Sequence, residues 1–508
     1  MPHQTIFGRI AAACPPAILA VAMLGARDEP TLAAEPSSAK PSVVLILIDD
    51  LGWADLACQG SRYFETPHLD RLASEGVRFT NAYSACTVCS PTRAAVLTGK
   101  YPARLHITDW IPGHARPDAR LRVPDWTQRL PHEEVTIAEA LKTAGYATAS
   151  VGKWHLGGRE HWPESQGFDS NRGGCEKGQP PSYFSPYGIP TLQEGSPGEY
   201  LTDRESFEAC RFIESNRERP FFLYLPHHCV HTPLQAKKEL VERFQGKVRP
   251  GMRHTNPTYA AMLRSLDESV GRIRANLSDL GIAGRTVIFL TGDNGGLLGG
   301  GRTPVTSNAP LRAGKGSSYE GGVRVPLIVR WPGVTPAGST CEEPVISVDF
   351  LPTILQIAGL EISGLGKEGV AAAGAADGAK SASQPTQVGD VAHDGRVDGV
   401  SLVPVLKNPE AKLARKAVYW HYPHYHPGGA TPYGAVRQGS WKLIEFYEDG
   451  RLELYDLAKD VGETRDLALK MPEKAAELRQ DLHAWRARVG AQMPTENPEH
   501  RHGVEGAR

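Results

Sequence analysis

The feature that most constrains this chain is a run of six apolar residues, Val43 to Ile48 (VVLILI), that stops at a pair of aspartates, Asp49-Asp50. A continuous run rich in β-branched residues predicts a strand buried on both faces, as in a parallel sheet. The pattern recurs along the chain. Tyr146 to Val151 leads into Gly152-Lys153, Phe221 to Leu225 (FFLYL) into His227, His228 and His231, and Thr286 to Leu290 (TVIFL) into Asp293-Asn294. Helical segments lie between these runs. Thr66 and Pro67 open one (PHLDRLASEG), with Thr66 as its cap and Gly76 closing it. Thr136 and Glu139 form a capping box ahead of a second, and a third runs from about Tyr259 to Leu280. Strands alternating with helices predict a doubly wound α/β domain. Ligands of such sheets bind beyond the carboxyl ends of the strands, where the polar residues of this chain gather.

Of the 508 residues, 40% are hydrophobic and 22% charged, which suits a globular chain and excludes a mainly disordered or coiled-coil one. With 56 Lys and Arg against 57 Asp and Glu, no basic excess points to nucleic acid, and none is expected as a partner. Arg9, the apolar stretch Ile10 to Ala26 and the small residues Ala33 and Ala34 predict a cleaved export signal over 1–34. The protein is therefore expected in the periplasm or outside the cell, with no stable membrane span after cleavage, since no later stretch stays apolar for about 20 residues.

A catalytic domain is read over 41–360. Residues 361–397 are of low complexity and read as an insertion or linker. Within 398–495, Trp441 to Phe446 and Leu452 to Tyr455 predict a β-hairpin and Pro472 to about Val489 a helix, a smaller α+β domain. Fraying is expected from about Glu496. Of the eight cysteines, Cys14 leaves with the signal and the others are scattered, so no disulfide scaffold is expected. Cys86-x-x-Cys89 lacks the second ligand pair that a zinc site needs.

Two motifs carry a resemblance. One is Cys89-Ser90-Pro91-Thr92-Arg93 with its trailing Leu97-Thr98-Gly99; the other runs from Gly145 to Gly157 (GYATASVGKWHLG). With the strand-ending carboxylates, they resemble the type I, formylglycine-dependent sulfatases over about residues 41–470. The resemblance implies an alkaline-phosphatase-like fold, a doubly wound mixed sheet with a smaller C-terminal α+β domain, and hydrolysis of sulfate monoesters. It implies that a maturation enzyme oxidises Cys89 to formylglycine. One hydroxyl of the hydrated aldehyde then attacks sulfur, and the other expels sulfate and restores the aldehyde.

The same resemblance makes Asp49, Asp50, Asp293 and Asn294 metal ligands. An all-oxygen set suits Ca²⁺, with Mg²⁺ as the second choice, better than zinc. Arg93 is expected to hold the formylglycine and its neighbours by hydrogen bonds, and Lys153 and Lys315 to contact sulfate oxygens. His155 is the expected base for the second hydroxyl, and His231, helped by Lys315, the acid for the leaving oxygen. His227 and His228 are read as local structure.

Substrate selection is expected from two segments dense in aromatic and His residues, around Trp110 (HITDW) and His424 (YWHYPHYH). Aromatic faces pack on sugar rings, and His and Asp bind hydroxyls. These segments resemble those of bacterial sulfatases acting on sulfated polysaccharides and, more distantly, the N-acetylgalactosamine-6-sulfatase type. A sulfated galactose-type carbohydrate or an aryl sulfate is the expected substrate. Two alternatives stay open: a formylglycine-dependent phosphonate monoester or phosphodiester hydrolase, and a non-catalytic sulfoglycan-binding protein.

Overall fold

The computed structural model describes residues 40–299, 304–361 and 397–500. The predicted export signal and all but the ends of the low-complexity stretch lie outside the described residues.

The first apolar run is strand β1 (Ser42–Ile48), near the middle of an eight-stranded sheet. The other strands are β2 (Val77–Phe79), β3 (Ala147–Val151), β4 (Ser170–Arg172), β5 (Phe221–His227), β6 (Thr286–Gly292), β7 (Leu327–Arg330) and β8 (Ser339–Cys341). Their order across the sheet is β8-β2-β7-β6-β1-β5-β3-β4. β7 runs antiparallel to both its neighbours, and the remaining pairings are parallel. The sheet is therefore mixed, with β1 flanked in parallel by β5 and β6, as its two-sided burial requires.

Alternate residues of β1 feed two separate cores. Val44, Ile46 and Ile48 meet Leu69 and Leu72 of α1 (Pro67–Ser74), Ile213 of α4 (Leu201–Ser215) and Leu266 of α5 (Pro257–Asp279). Val43, Leu45 and Leu47 meet Val96 of α2 (Cys89–Thr98), Leu141 of α3 (Ile137–Thr143) and Ile354 of α6 (Phe350–Ile357). Each fully buried side chain of this kind contributes about 1.5–3 kcal/mol relative to exposure. Two helical layers thus cover one sheet, and the loops after its strands are left at one edge.

The predicted capping box of α3 forms as read, with Glu139 N bonded to Thr136 Oγ1 and Thr136 N to the Glu139 carboxylate. The cap of α1 does not. Thr66 Oγ1 makes no bond to the helix backbone's free donors; it accepts from Ala57 N and faces Asp70. Asp267 of α5 does the capping instead, its Oδ1 accepting from His68 N and Leu69 N at 2.9 Å each. A charged acceptor from a packed neighbour outcompetes a hydroxyl at the positive end of a helix.

The C-terminal region is a four-stranded antiparallel meander of β9 (Val418–Tyr422), β10 (Tyr433–Gln438), β11 (Trp441–Phe446) and β12 (Leu452–Asp456), packed by α7 (Pro472–Val489). The predicted hairpin is its β11–β12 pair. Trp485 of α7 stacks on Tyr419 at 4.9 Å between ring centroids. Over the described residues 496–500 the expected fraying is not seen: Thr495 pairs with Arg122 and Glu496 with Leu121, and Asn497 Nδ2 donates to the Pro117 and Ala119 carbonyls, while the rest of that stretch lies outside the described residues. Those tertiary bonds offset the chain entropy that sequence position alone suggests would win.

Candidate active site

Because β1 and β6 are adjacent and parallel, with Ile48 opposite Gly292, their polar ends leave the sheet side by side. Asp50 N donates to Asp293 Oδ1 at 3.2 Å, and Asn294 Nδ2 to Asp50 Oδ1 at 2.7 Å. Asp50 sits in the left-handed region at φ 61°, strained for a residue with a Cβ. The turn is held from several sides. Asp49 N donates to the Cys229 carbonyl and Val230 N to that of Asp49. The Tyr259 hydroxyl lies 2.5 Å from Asp55 Oδ2 and 3.4 Å from the Asp50 carbonyl.

Asp49, Asp50, Asp293 and Asn294 are all buried. Three of their oxygens, Asp49 Oδ1, Asp50 Oδ2 and Asn294 Oδ1, have no hydrogen-bond partner. An unmatched buried acceptor costs about 1–3 kcal/mol, more when charged, so three at one point indicate a missing positive partner. Asp49, Asp50 and His231 also offer atoms within 4.8 Å of one another. The oxygen-rich donor set fits a hard divalent cation.

Cys89 is the first residue of α2. Val88 at its N-cap provides no side-chain bond, so the positive end of the helix opens onto the site. Cys89 Sγ lies 3.4 Å from His155 Nδ1. The other ring nitrogen of His155 meets the Ile111 carbonyl, so Nε2 is assigned the proton and Nδ1 the lone pair. Burial, then the nearby Lys153 charge, push His155 well below its ordinary pKa. Burial raises the Cys89 thiol, although Lys153 and Lys315 pull the other way. None of the seven described cysteines forms a disulfide.

Three cations surround this point, with His231, which burial and then Lys315 hold below its ordinary pKa. Gly152, at φ 116°, lets the chain pass where a Cβ would come within 2.1 Å of the Pro226 carbonyl, and so delivers Lys153 to the sheet edge. Lys153 Nζ is 2.6 Å from Asp49 Oδ2, and Lys315 Nζ 2.6 Å from Asp50 Oδ1. Arg93 reaches Asp293 Oδ2 with Nε and Nη2, at 3.0 and 2.7 Å, and the Lys153 carbonyl with Nη1. These donors go to the Asp293 carboxylate and a neighbouring backbone group, and none to Cys89. His231 Nδ1 faces the Thr232 carbonyl at 2.8 Å, and its Nε2 lies 3.7 Å from Asp50 Oδ2.

Burial alone would raise Asp49, but Lys153 foremost, with His231, Arg93 and Lys315, holds it well below the carboxylate range. Asp293 is pushed up to about 6 by burial and by Asp49, against the pull of Arg93. Burial opposes the charge on Lys315, yet Asp50 and the other carboxylates keep it firmly protonated.

A cavity of about 530 Å³ opens above these groups, lined by Cys89, Trp110, His155, His231, Lys315 and His426 among others. Trp110 is thus on the wall where it was expected. His424 is not: it is buried, bonds Thr108 Oγ1 at 2.8 Å and meets the edge of Trp126. His426, two residues on, takes the wall position. Tyr422 ends β9, and the chain leaves the strand after it, so strand alternation does not say which His of the segment faces the cavity. His227 and His228 are buried on Glu205, each Nδ1 2.6 Å from one of its oxygens, in line with a local structural reading. Glu205, Asp55 and Tyr259 were missed because no motif marks them.

Residues 41–360 match the Sulfatase family model, and 377–489 the model of the N-sulphoglucosamine sulphohydrolase C-terminal region. The chain is 31% identical to a protein named Sulfatase from Formosa agariphila, over 92% of this chain and 93% of that one. It is 38% identical over 347 residues to the N-acetylgalactosamine-6-sulfatase of Sus scrofa, a match that spans 63% of each. Among solved structures, that described as Ps i-CgsB in complex with k-i-k-neocarrahexaose superposes with a TM-score of 0.68 at 28% identity, over 92% of this chain and 95% of that one. With its sheet and both strand-end clusters inside the matched segment, and a relative aligned over nearly its whole length, the chain belongs to the sulfatase family and is a sulfuric ester hydrolase.

Proposed function

We propose that the protein hydrolyses sulfate monoesters of a sulfated carbohydrate, using a formylglycine made from Cys89 beside a calcium ion held by Asp49, Asp50, Asp293 and Asn294. The observation that carries this reading is the set of three unpartnered buried oxygens at one end of the sheet, beneath a cavity that Cys89 and His155 line and whose Lys315 and His231 reach Asp50. When bound, the cation supplies Lewis acidity and offsets negative charge on the sulfate. The oxidised Cys89 side chain supplies a hydrated aldehyde, one hydroxyl to attack sulfur and one to release it.

The chain's own groups then divide the work. Lys153, Lys315 and the open first turn of α2 draw in the sulfate oxygens. His155 Nδ1, with its lone pair toward side chain 89, accepts a proton there. His231, oriented by the Thr232 carbonyl, presents Nε2 to the cavity and delivers a proton to the leaving oxygen. Arg93 acts one step back, fixing Asp293 and the Lys153 backbone.

A carbohydrate substrate is supported by the Trp110 ring on the cavity wall and by the names of the relatives. Residues 1–34 are read as directing export, and among the described residues no helix is long and apolar enough to cross a membrane.

The test is to replace Cys89 by Ala and to weigh the intact wild-type chain. Formylglycine lowers its mass by about 18 Da. Aryl sulfate turnover should fall by roughly 10⁴ or more in the variant. Full activity at the unmodified mass, or a preference for a phenyl phosphonate over the aryl sulfate, would overturn the reading.

A further inference from the structure

A second cavity, about 700 Å³ and larger than the catalytic one, opens beside the edge of the large sheet against the C-terminal meander. It shares no lining residue with the catalytic cavity. Two guanidinium groups converge in its wall on one neutral oxygen. Arg324 Nη2 donates to Asn81 Oδ1 at 2.6 Å, and Arg437 Nη1 donates to the same atom at 3.1 Å. The amide orientation of Asn81 is fixed from its other end, where Nδ2 donates to the Glu342 carbonyl at 2.7 Å.

The two arginines differ in how their charge is met. Arg324 has the Glu320 carboxylate at 3.4 Å. Arg437, only 6% exposed, forms no ion pair among the described residues. Its partners are Asn81 Oδ1, the Tyr83 hydroxyl and the Gly439 carbonyl, all neutral. Burial without a counter-charge pulls its pKa down to about 10. Hydrogen bonds engage Nε and Nη1 but leave Nη2 without a partner among the described residues; a desolvated cation with no anion is costly, and a like charge sharing its acceptor adds repulsion. At the mouth of the cavity, Lys412 and Lys416 pair with Glu343 and Asp481 but are largely exposed, so water weakens those pairs.

We propose that this cavity is an anion subsite, distinct from the catalytic centre, that takes a sulfate group on the Arg437 guanidinium through its free Nη2, beside Arg324, with Lys412 and Lys416 steering it in. Planar guanidinium forks suit a tetrahedral oxyanion. The sulfate group belongs either to a sulfated oligosaccharide or to the free ion. The first source rests on the proposed carbohydrate substrate, the second does not.

The test is calorimetric titration of the full-length protein with inorganic sulfate and, separately, with a sulfated galactose hexasaccharide. The expected result is a binding event beyond the catalytic site that weakens about tenfold or more in Arg437→Gln. The Lys412→Glu/Lys416→Glu double variant, altered only at exposed positions, should weaken it severalfold and covers any folding defect of the first. Aryl sulfate kcat/KM should stay within about twofold in both, since neither touches the reacting groups. Tighter binding of the hexasaccharide than of sulfate assigns the glycan, and equal binding the free ion. Absence of the second event, or unchanged affinity in both variants, overturns the proposal. The binding readout needs no turnover, so failure of the sulfatase mechanism and failure of this subsite are separable.

Discussion

The floor, the layer of charged groups beneath the catalytic cavity, comes from strand ends and the cavity's rim from loops, and the two hold their side chains by different means. On the floor, Asp49, Asp50 and Asp293 sit at the ends of two hydrogen-bonded strands and are cross-tied by Arg93, Lys153 and Lys315. On the rim, His426 hangs on a short loop. Its Nδ1 accepts from Gly428 N at 2.8 Å, and the loop is tied to the catalytic region by Ala430 N donating to the Gly316 carbonyl. Gly316, at φ 75°, has no room for a Cβ, which would come within 1.8 Å of the His426 ring. Under the proposed function, reaction chemistry is anchored to the sheet, while the contacts that meet the alcohol part of a substrate rest on a few loop bonds that can be exchanged without disturbing it.

Three measurements probe that division. The largest effect is expected on the floor: His155→Ala should lower kcat on an aryl sulfate by about 10²–10⁴. A loss confined to KM would instead make His155 a binding residue like those of the rim. A smaller effect belongs to His426→Ala, which should raise KM for a sulfated sugar about tenfold while leaving aryl sulfate kcat within about twofold. An equal loss on both substrates would erase the distinction.

The smallest effect is one of pH. Asp109, behind Trp110, accepts from the Tyr422 hydroxyl at 2.7 Å and from Trp110 N at 2.9 Å. Burial pushes it from the ordinary 3.8 up to about 7. The folded protein therefore binds that proton more tightly than the unfolded chain, and the stability it contributes is full below about pH 4 and lost as pH rises through about 7. The Tm of the wild type should fall more steeply between pH 5 and pH 8 than that of Asp109→Asn. Parallel curves would show that the rim carries no titrating support.

How much of this was legible in the residues follows the same line. Strand ends were readable because period and burial fix where an apolar run stops, so Asp49-Asp50 and Asp293-Asn294 could each be placed at the carboxyl end of a strand, while joining them into one site took the family resemblance. Thr66 was misread as a cap because the competing acceptor, Asp267, lies some 200 residues away and no local rule registers it. His424 and His426 were not separable, since a chain that has left its strand no longer alternates. The charge balance around Arg437 was invisible for a related reason: a missing counter-ion is a property of packed neighbours.

The enclosure of α2 has one more consequence. All ten of its residues, Cys89 to Thr98, are shut away from solvent, and Cys89 is 3% exposed. If Cys89 is converted as proposed, a modifying enzyme that grips the stretch around that thiol would have no path to the residues of α2 once the sheet and helices have closed. On the proposed reading, chemical editing of position 89 would belong to the interval before the chain collapses, and the yield of competent molecules would be a race between two clocks, one for the editing and one for folding.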